Sequence, residues 1–344
     1  MKQTIMPILL LLAFTESVSA EEQVKIINNQ PSTISTQAKA FLSSWPGAGI
    51  WPQMPKRDDI NAWKTIQTGI IKSTEQRIES LIKQYNLTIT KNKINNVSVL
   101  DIRPKNFKDN GKVLIYIHGG AYTLYDAMSS MGASAVMAEA TGLKIISIDY
   151  TTAPQSKWRN TLEQTTSVFK GLLEQGYSME DMAIYGDSAG GALATGTVLK
   201  LRNENLGMPS SVVLWSPWAD IDTSKGDTYA TLASADPILA IDTFLNPSAL
   251  AYADRKDFTH PYVSPVYGNY HKGFPPTLIQ GGTKEMFLSS FVRLYQKMDT
   301  AGIEVKLDLY EGMPHIFQYL MLDTPESQIA VKKSANYILK HLGN

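Results

Sequence analysis

The chain has 344 residues, 43% of them apolar and 19% charged, the proportions of an ordinary globular protein with enough mass for one large domain or two small ones. Its 32 basic and 32 acidic residues cancel and no long run of either sign occurs, so a basic face for nucleic acid is not expected. It contains no cysteine, which excludes disulfides, thiolate metal sites, a cysteine nucleophile and a lipid-modified N-terminal cysteine.

Residues 1–20 read as a signal peptide rather than as part of the fold. Lys2 gives a positive start, 5–14 are apolar, and Val18-Ser19-Ala20 is a small-residue cleavage pattern. The apolar stretch is too short to span a bilayer as a helix. Cleavage after Ala20 is expected to leave a secreted or periplasmic chain beginning at Glu21, with no stable membrane insertion; an uncleaved anchor is the alternative. Asn86-Leu87-Thr88 and Asn96-Val97-Ser98 match the glycosylation pattern, which matters only in a eukaryotic secretory pathway.

Residues 21–35 are polar and read as loose. Helical patterns at about 34–44 and 58–84 flank a Trp/Pro/Gly segment, 45–55, and β-like runs follow at 87–90 and 96–102. Strand and helix patterns then alternate. Run 113–118 precedes a helix at 128–141, run 143–149 a helix at 160–175, and run 183–186 a helix starting near Ser188. Run 212–215 comes next, then 277–280 with a helix at 287–301, and 305–310 with a last helix at 325–342. Short continuous apolar runs are what buried parallel strands look like, and their alternation with helices implies an α/β fold: a doubly wound sheet covered on both faces. Residues 219–272 interrupt the alternation, and an insertion after a strand of such a sheet is expected to build a site or cover one.

Gly186-Asp187-Ser188-Ala189-Gly190 lies where the run 183–186 turns into a helix. A serine between glycines at such a turn is the pattern of a nucleophile elbow. The turn is too sharp for side chains on the flanking positions, and the hydroxyl is held out above a helix N-terminus. A neutral serine needs a base, and the base needs an orienting carboxylate. In this class of fold they follow in the order serine, acid, histidine.

Of the five histidines, His315 sits just past the last predicted strand, where a loop can reach Ser188. His341 lies on the terminal helix, and His260 and His271 lie in the insertion, ahead of the plausible acid. Glu285 is the carboxylate that follows the strand 277–280, in Gly281-Gly282-Thr283-Lys284-Glu285. Glu311 is its main rival, being close to His315 in sequence; Asp308 lies within a strand and Asp299 on a helix. The oxyanion formed by attack on a carbonyl needs preorganised donors. Gly119 and Gly120 follow the run ending in His118, and their N–H groups, with that of Ala189, are expected to form the hole. His118 itself is expected to support that loop. Trp51, Trp158, Trp215 and Trp218 are candidates for an apolar pocket, with core packing the usual role. Histidines at metal-ligand spacing are absent, so neither a metal nor a cofactor is expected.

His118-Gly119-Gly120-Ala121-Tyr122, Asp149-Tyr150 with Ala153-Pro154, and Gly186-Asp187-Ser188-Ala189-Gly190-Gly191 together resemble the hormone-sensitive-lipase-like branch of the α/β-hydrolases. Ser216-Pro217-Trp218-Ala219-Asp220, Ala235-Asp236-Pro237 and Gly312-Met313-Pro314-His315 are similar too, so the resemblance covers roughly residues 32–342. It implies an α/β-hydrolase fold in a single domain, 21–344, with a helical cap built from about 32–85 and part of 219–272. It also implies esterase or lipase activity on short- to medium-chain acyl esters. Acetylated sugars, lactones and amides are alternative substrates of the same mechanism, and a non-catalytic binding protein is the remaining alternative. Two departures stand out. The family's Arg-Leu-Ala-Pro-Glu is here Thr151-Thr152-Ala153-Pro154-Gln155, and its frequent aspartate acid is here Glu285. The expected partner is a small ester substrate; whether the chain forms a homodimer is not legible in the sequence.

Overall fold

The computed structural model describes residues 30–47 and 51–343. The expected signal peptide and its cleavage point lie outside the described residues. Eight strands form one sheet: β1 (Thr88–Ile94), β2 (Val97–Arg103), β3 (Val113–Ile117), β4 (Lys144–Ile148), β5 (Met182–Asp187), β6 (Val212–Trp215), β7 (Thr277–Gly282) and β8 (Val305–Tyr310). Their order is β1-β2-β4-β3-β5-β6-β7-β8. β2 pairs antiparallel with β1 and β4, and every pairing from β4 through β8 is parallel.

Every residue of β3 through β7 is buried, as the unbroken apolar runs predict for strands covered on both faces. Alternate side chains divide between two cores. Val113, Ile115 and Ile117 join Leu162, Phe169, Leu193 and Phe291 on one face. Leu114 and Tyr116 join Met131, Val331, Ala335 and Ile338 on the other. The first face is covered by α4 (Trp158–Glu174), α5 (Ser188–Asn203) and α8 (Leu288–Thr300); the second by α3 (Met131–Thr141) and α10 (Pro325–His341).

β1 is longer than its sequence announces. Residues 91–94 carry little apolar pattern, yet they are paired through Ile94↔Val97 by a two-residue turn. Both turn residues, Asn95 and Asn96, have positive φ (44° and 63°), the conformation that lets a tight hairpin follow the strand twist. Asparagine tolerates it better than most residues.

α1 (Thr36–Ser44) and α2 (Ile60–Gln84) begin at side-chain caps. Ser35 Oγ accepts from Ala38 N, and Asp59 Oδ1 from Ala62 N, each at 3.0 Å. Ala38 and Leu42 of α1 pack on Met313 and Phe317, beside the histidine loop. α2 buries Trp63 and Ile70 in one core and Ile78 in the other, with Leu81 buried on the same helix. The insertion holds α6 (Asp227–Thr231) and α7 (Asn246–Tyr252). It meets the N-terminal segment directly. Trp45 Nε1 donates to Pro237 O at 3.0 Å, Trp51 Nε1 to Ile238 O at 2.6 Å, and Met54 N to Thr243 O at 2.8 Å. No helix among the described residues is long and apolar enough to cross a membrane.

Candidate active site

The elbow is a steric consequence of its glycines. A Cβ on Gly186 would meet Gly190 O at 2.5 Å, and one on Gly190 would run into the carbonyls of Ile117 and His118 at the end of β3. With those side chains absent, β5 passes straight into α5. Ser188 takes φ 53°, a left-handed conformation that costs a non-glycine residue on the order of 1 kcal/mol. Its hydroxyl, on a residue 7% exposed, is held at the first turn of α5.

Ser188, Glu285 and His315 come together from three separate strand ends. His315 Nε2 lies 2.9 Å from Ser188 Oγ, and His315 Nδ1 lies 2.8 Å from Glu285 Oε2. Glu285 is fully buried and His315 is 2% exposed. The other carboxylate oxygen, Oε1, accepts from Gly282 N and from Ser216 Oγ, the latter at 2.8 Å. Ser216 Oγ in turn accepts from Ile316 N at 3.0 Å, so it ties Glu285 to the residue beside His315. The donors run one way. With Oε1 taken, Oε2 is left for the Nδ1–H of His315, and Nε2 keeps its lone pair toward the serine proton.

The rival groups stand elsewhere. Glu311 accepts from Thr33 Oγ1 at 2.6 Å on the surface, Asp308 pairs with Lys333 at 2.7 Å, and Asp299 is exposed. His260 packs tilted against Trp158, His271 is exposed, and His341 lies 3.5 Å from Glu304. Among the described residues no group of three His, Asp or Glu side chains is placed to hold a metal ion.

The loop after β3 corrects one expectation. Gly119 is not free to donate to substrate: its N–H already gives its proton to Asp187 Oδ1 at 3.0 Å. The N–H groups of Gly120 and Ala121 have no protein acceptor among the described residues. Ala189 lies in the first turn of α5, where helical N–H groups have no partner within the helix. Gly120, Ala121, Tyr122 and Tyr125 all have positive φ (97°, 51°, 64° and 66°), so the loop is held by its surroundings and not by local preference. Gln67 of α2 donates to Thr123 O at 2.8 Å and Ala153 O at 3.1 Å, and Ala153 N donates to Tyr122 O at 2.8 Å. Tyr150 donates its hydroxyl to His118 O at 2.9 Å, and its ring stacks on His118 at 4.1 Å. Burial lowers the pKa of that histidine. Gln155, at the departure from the family pattern, donates to Gln67 Oε1 at 2.7 Å, so an amide pair fills that place.

Sequence reasoning passed over Asp187. Its carboxylate is 1% exposed and accepts from Tyr116 (2.6 Å), Tyr319 (2.8 Å) and Gly119 N. Burial raises its pKa despite those bonds. It thus links the elbow, the loop after β3, and α9 (Phe317–Leu320), which follows His315. Ser216 was visible only as part of a resemblance, with no signal for its double hydrogen bond. Of the tryptophans, Trp215 is buried with its indole N–H on Ser334, and Trp158 donates to Asp257. Trp218 is fully buried between Tyr122 (5.8 Å) and Phe287 (5.7 Å), with Phe287 edge-on to His315. Its backbone N–H donates to Ser188 O at 2.8 Å.

The chain belongs to the α/β-hydrolase fold family, whose model matches residues 114–319. Within it the chain is an esterase-type hydrolase. An acetyl-hydrolase of Streptomyces hygroscopicus is 30% identical over 237 residues, covering 69% of this chain and 78% of that protein. The crystal structure of an esterase, E25, has 28% identity and a TM-score of 0.84, over 91% of this chain and 96% of that one. A solved esterase of the bacterial hormone-sensitive lipase family shares the fold, with a TM-score of 0.74 at 24% identity over 95% of this chain and 100% of that one.

Proposed function

We propose that the chain is a secreted or periplasmic serine carboxylesterase acting on short-chain acyl esters, acetate esters foremost. The observation that carries the reading is the hydrogen-bonded chain from Ser188 through His315 to Glu285, at 2.9 and 2.8 Å. His315 Nε2 takes the Ser188 proton as Oγ attacks the ester carbonyl, and Glu285 stabilises the imidazolium that forms. The oxyanion rests on the N–H groups of Gly120, Ala121 and Ala189, each worth about 10² to 10³ in rate. The imidazolium protonates the departing alcohol. Water, deprotonated by the same imidazole, then releases the acid from the acyl-enzyme.

The preference for short acyl groups rests on the bulk packed beside the serine's loops, where Tyr122, Tyr252, Trp218 and Phe287 are buried and stacked on one another. The name of the Streptomyces relative, an acetyl-hydrolase, points the same way. The N-terminal helices with part of the insertion act as the cap that admits substrate. Ser188→Ala is expected to lower hydrolysis of p-nitrophenyl acetate by about 10⁵-fold, and turnover near wild type in that variant overturns the assignment. Rates on acetate through octanoate esters are expected to fall with chain length. Export rests on Lys2, the apolar 5–14 and Val18-Ser19-Ala20. Mass spectrometry of the exported protein is expected to give Glu21 as its first residue, and an intact Met1 rules this out.

A further inference from the structure

Asp236 stands between the N-terminal docking point and the acid loop. It is 1% exposed, and its carboxylate is met by backbone N–H groups alone among the described residues. Oδ1 accepts from Ile238 N at 2.8 Å and Leu239 N at 3.0 Å; Oδ2 accepts from Met286 N at 2.9 Å. Met286 follows Glu285, so the last bond grips the peptide that carries the acid. On the opposite side, the carbonyls of Pro237 and Ile238 receive the indole N–H groups of Trp45 and Trp51.

A carboxylate in the core without a counter-ion is costly. Burial holds Asp236 up at about 6, even with the nearby His315 and the three N–H groups pulling the other way. The charged groups around His315 are Glu285 in contact, with Asp236 and Asp187 further off. An imidazolium formed at 315 therefore faces three carboxylates. One of them touches it, one holds the loop after β3, and Asp236 holds the acid's own backbone.

We propose that Asp236 is a positioning residue for the reacting set: it clamps the Met286 peptide so that Glu285 meets His315, and its charge adds to that of Glu285 in stabilising the imidazolium. This rests on the reading of Ser188, Glu285 and His315 as the groups that react. Asp236→Asn keeps the size, removes the charge and mismatches at least one of the three N–H donors. Its kcat on p-nitrophenyl acetate is expected to drop about 10- to 100-fold with KM within about threefold. The acid limb of its kcat/KM profile moves to lower pH by about half a unit, because the imidazolium has lost a stabilising anion.

A purely structural role leaves the acid limb in place. An unmoved limb, or an undiminished kcat, overturns the proposal. If Asp236→Asn does not fold, Asp236→Glu carries the test. Its charge is kept, so the acid limb stays at the wild-type pH, while the longer arm displaces the Met286 peptide and kcat falls. Wild-type kcat in that variant, or a limb displaced downward, overturns the proposal as well. Ser188→Ala measured alongside separates the two readings. Activity persisting there removes the reacting set itself. An inert Ser188→Ala beside a wild-type-like Asp236→Asn removes only the positioning role.

Discussion

The surroundings of Ser188 and the contact between the N-terminal segment and the insertion are held by opposite means. Around the serine, each group is tied to particular partners by bonds of fixed direction. Asp187 takes Tyr116, Tyr319 and Gly119; Glu285 takes Ser216, Gly282 and His315; the loop after β3 is bent through four positive φ angles. Across the other contact, Trp51 stacks on Phe244 at 4.2 Å, and two indole N–H groups reach backbone carbonyls. Backbone carbonyls persist whatever side chain they belong to, and stacked aromatic faces accept substitutes. The first region is specified atom by atom, whereas the second asks mainly for bulk. Chemistry should therefore fail abruptly with changes in the first, and selectivity should drift with changes in the second.

Glu285→Gln tests the stringent side and carries the larger effect. The amide is isosteric but can offer an N–H toward Nδ1, favouring the tautomer that cannot accept the serine proton. A loss of about 10³- to 10⁴-fold in kcat is expected, with the melting temperature little changed. A loss under tenfold would erase the contrast.

Trp51→Ala tests the permissive side. Its kcat on the acetate ester is expected to stay within about threefold. The butyrate-to-acetate rate ratio should shift severalfold, and urea unfolding should show about 1–2 kcal/mol less stability. Loss of acetate turnover on the scale of Glu285→Gln would show that the two regions are not separable.

The sheet and its flanking helices were legible because their signal is local: apolar runs and helical spacing. β1 was cut short in the sequence reading because Lys91, Asn92 and Lys93 owe their pairing to the turn at Asn95-Asn96 and not to burial. Ser188, Glu285 and His315 could be picked out because each follows a recognisable strand end. The loop after β3 was harder. The glycine pair predicts an N–H open to substrate at each position, yet Gly119 spends its proton on Asp187, 68 residues away, and Ala121 keeps its N–H without a protein acceptor among the described residues. No local pattern carries such a contact. The same holds for Asp236 and Met286, which meet 50 residues apart.

The strand order has one last consequence. Ser188 follows β5 in the middle of the sheet, while His315 follows β8 at its edge, three strand spacings or roughly 14 Å across. The proposed proton acceptor is thus delivered by a border strand, flanked by a neighbour on one side only and the first to fray. Its place is kept by fastenings beyond that strand: Glu285 and Ser216 on one side, and Tyr319 anchored to Asp187 on the other. Unfastening them would let the imidazole wander while the eight strands stayed assembled, giving a molecule intact in outline and silent in turnover.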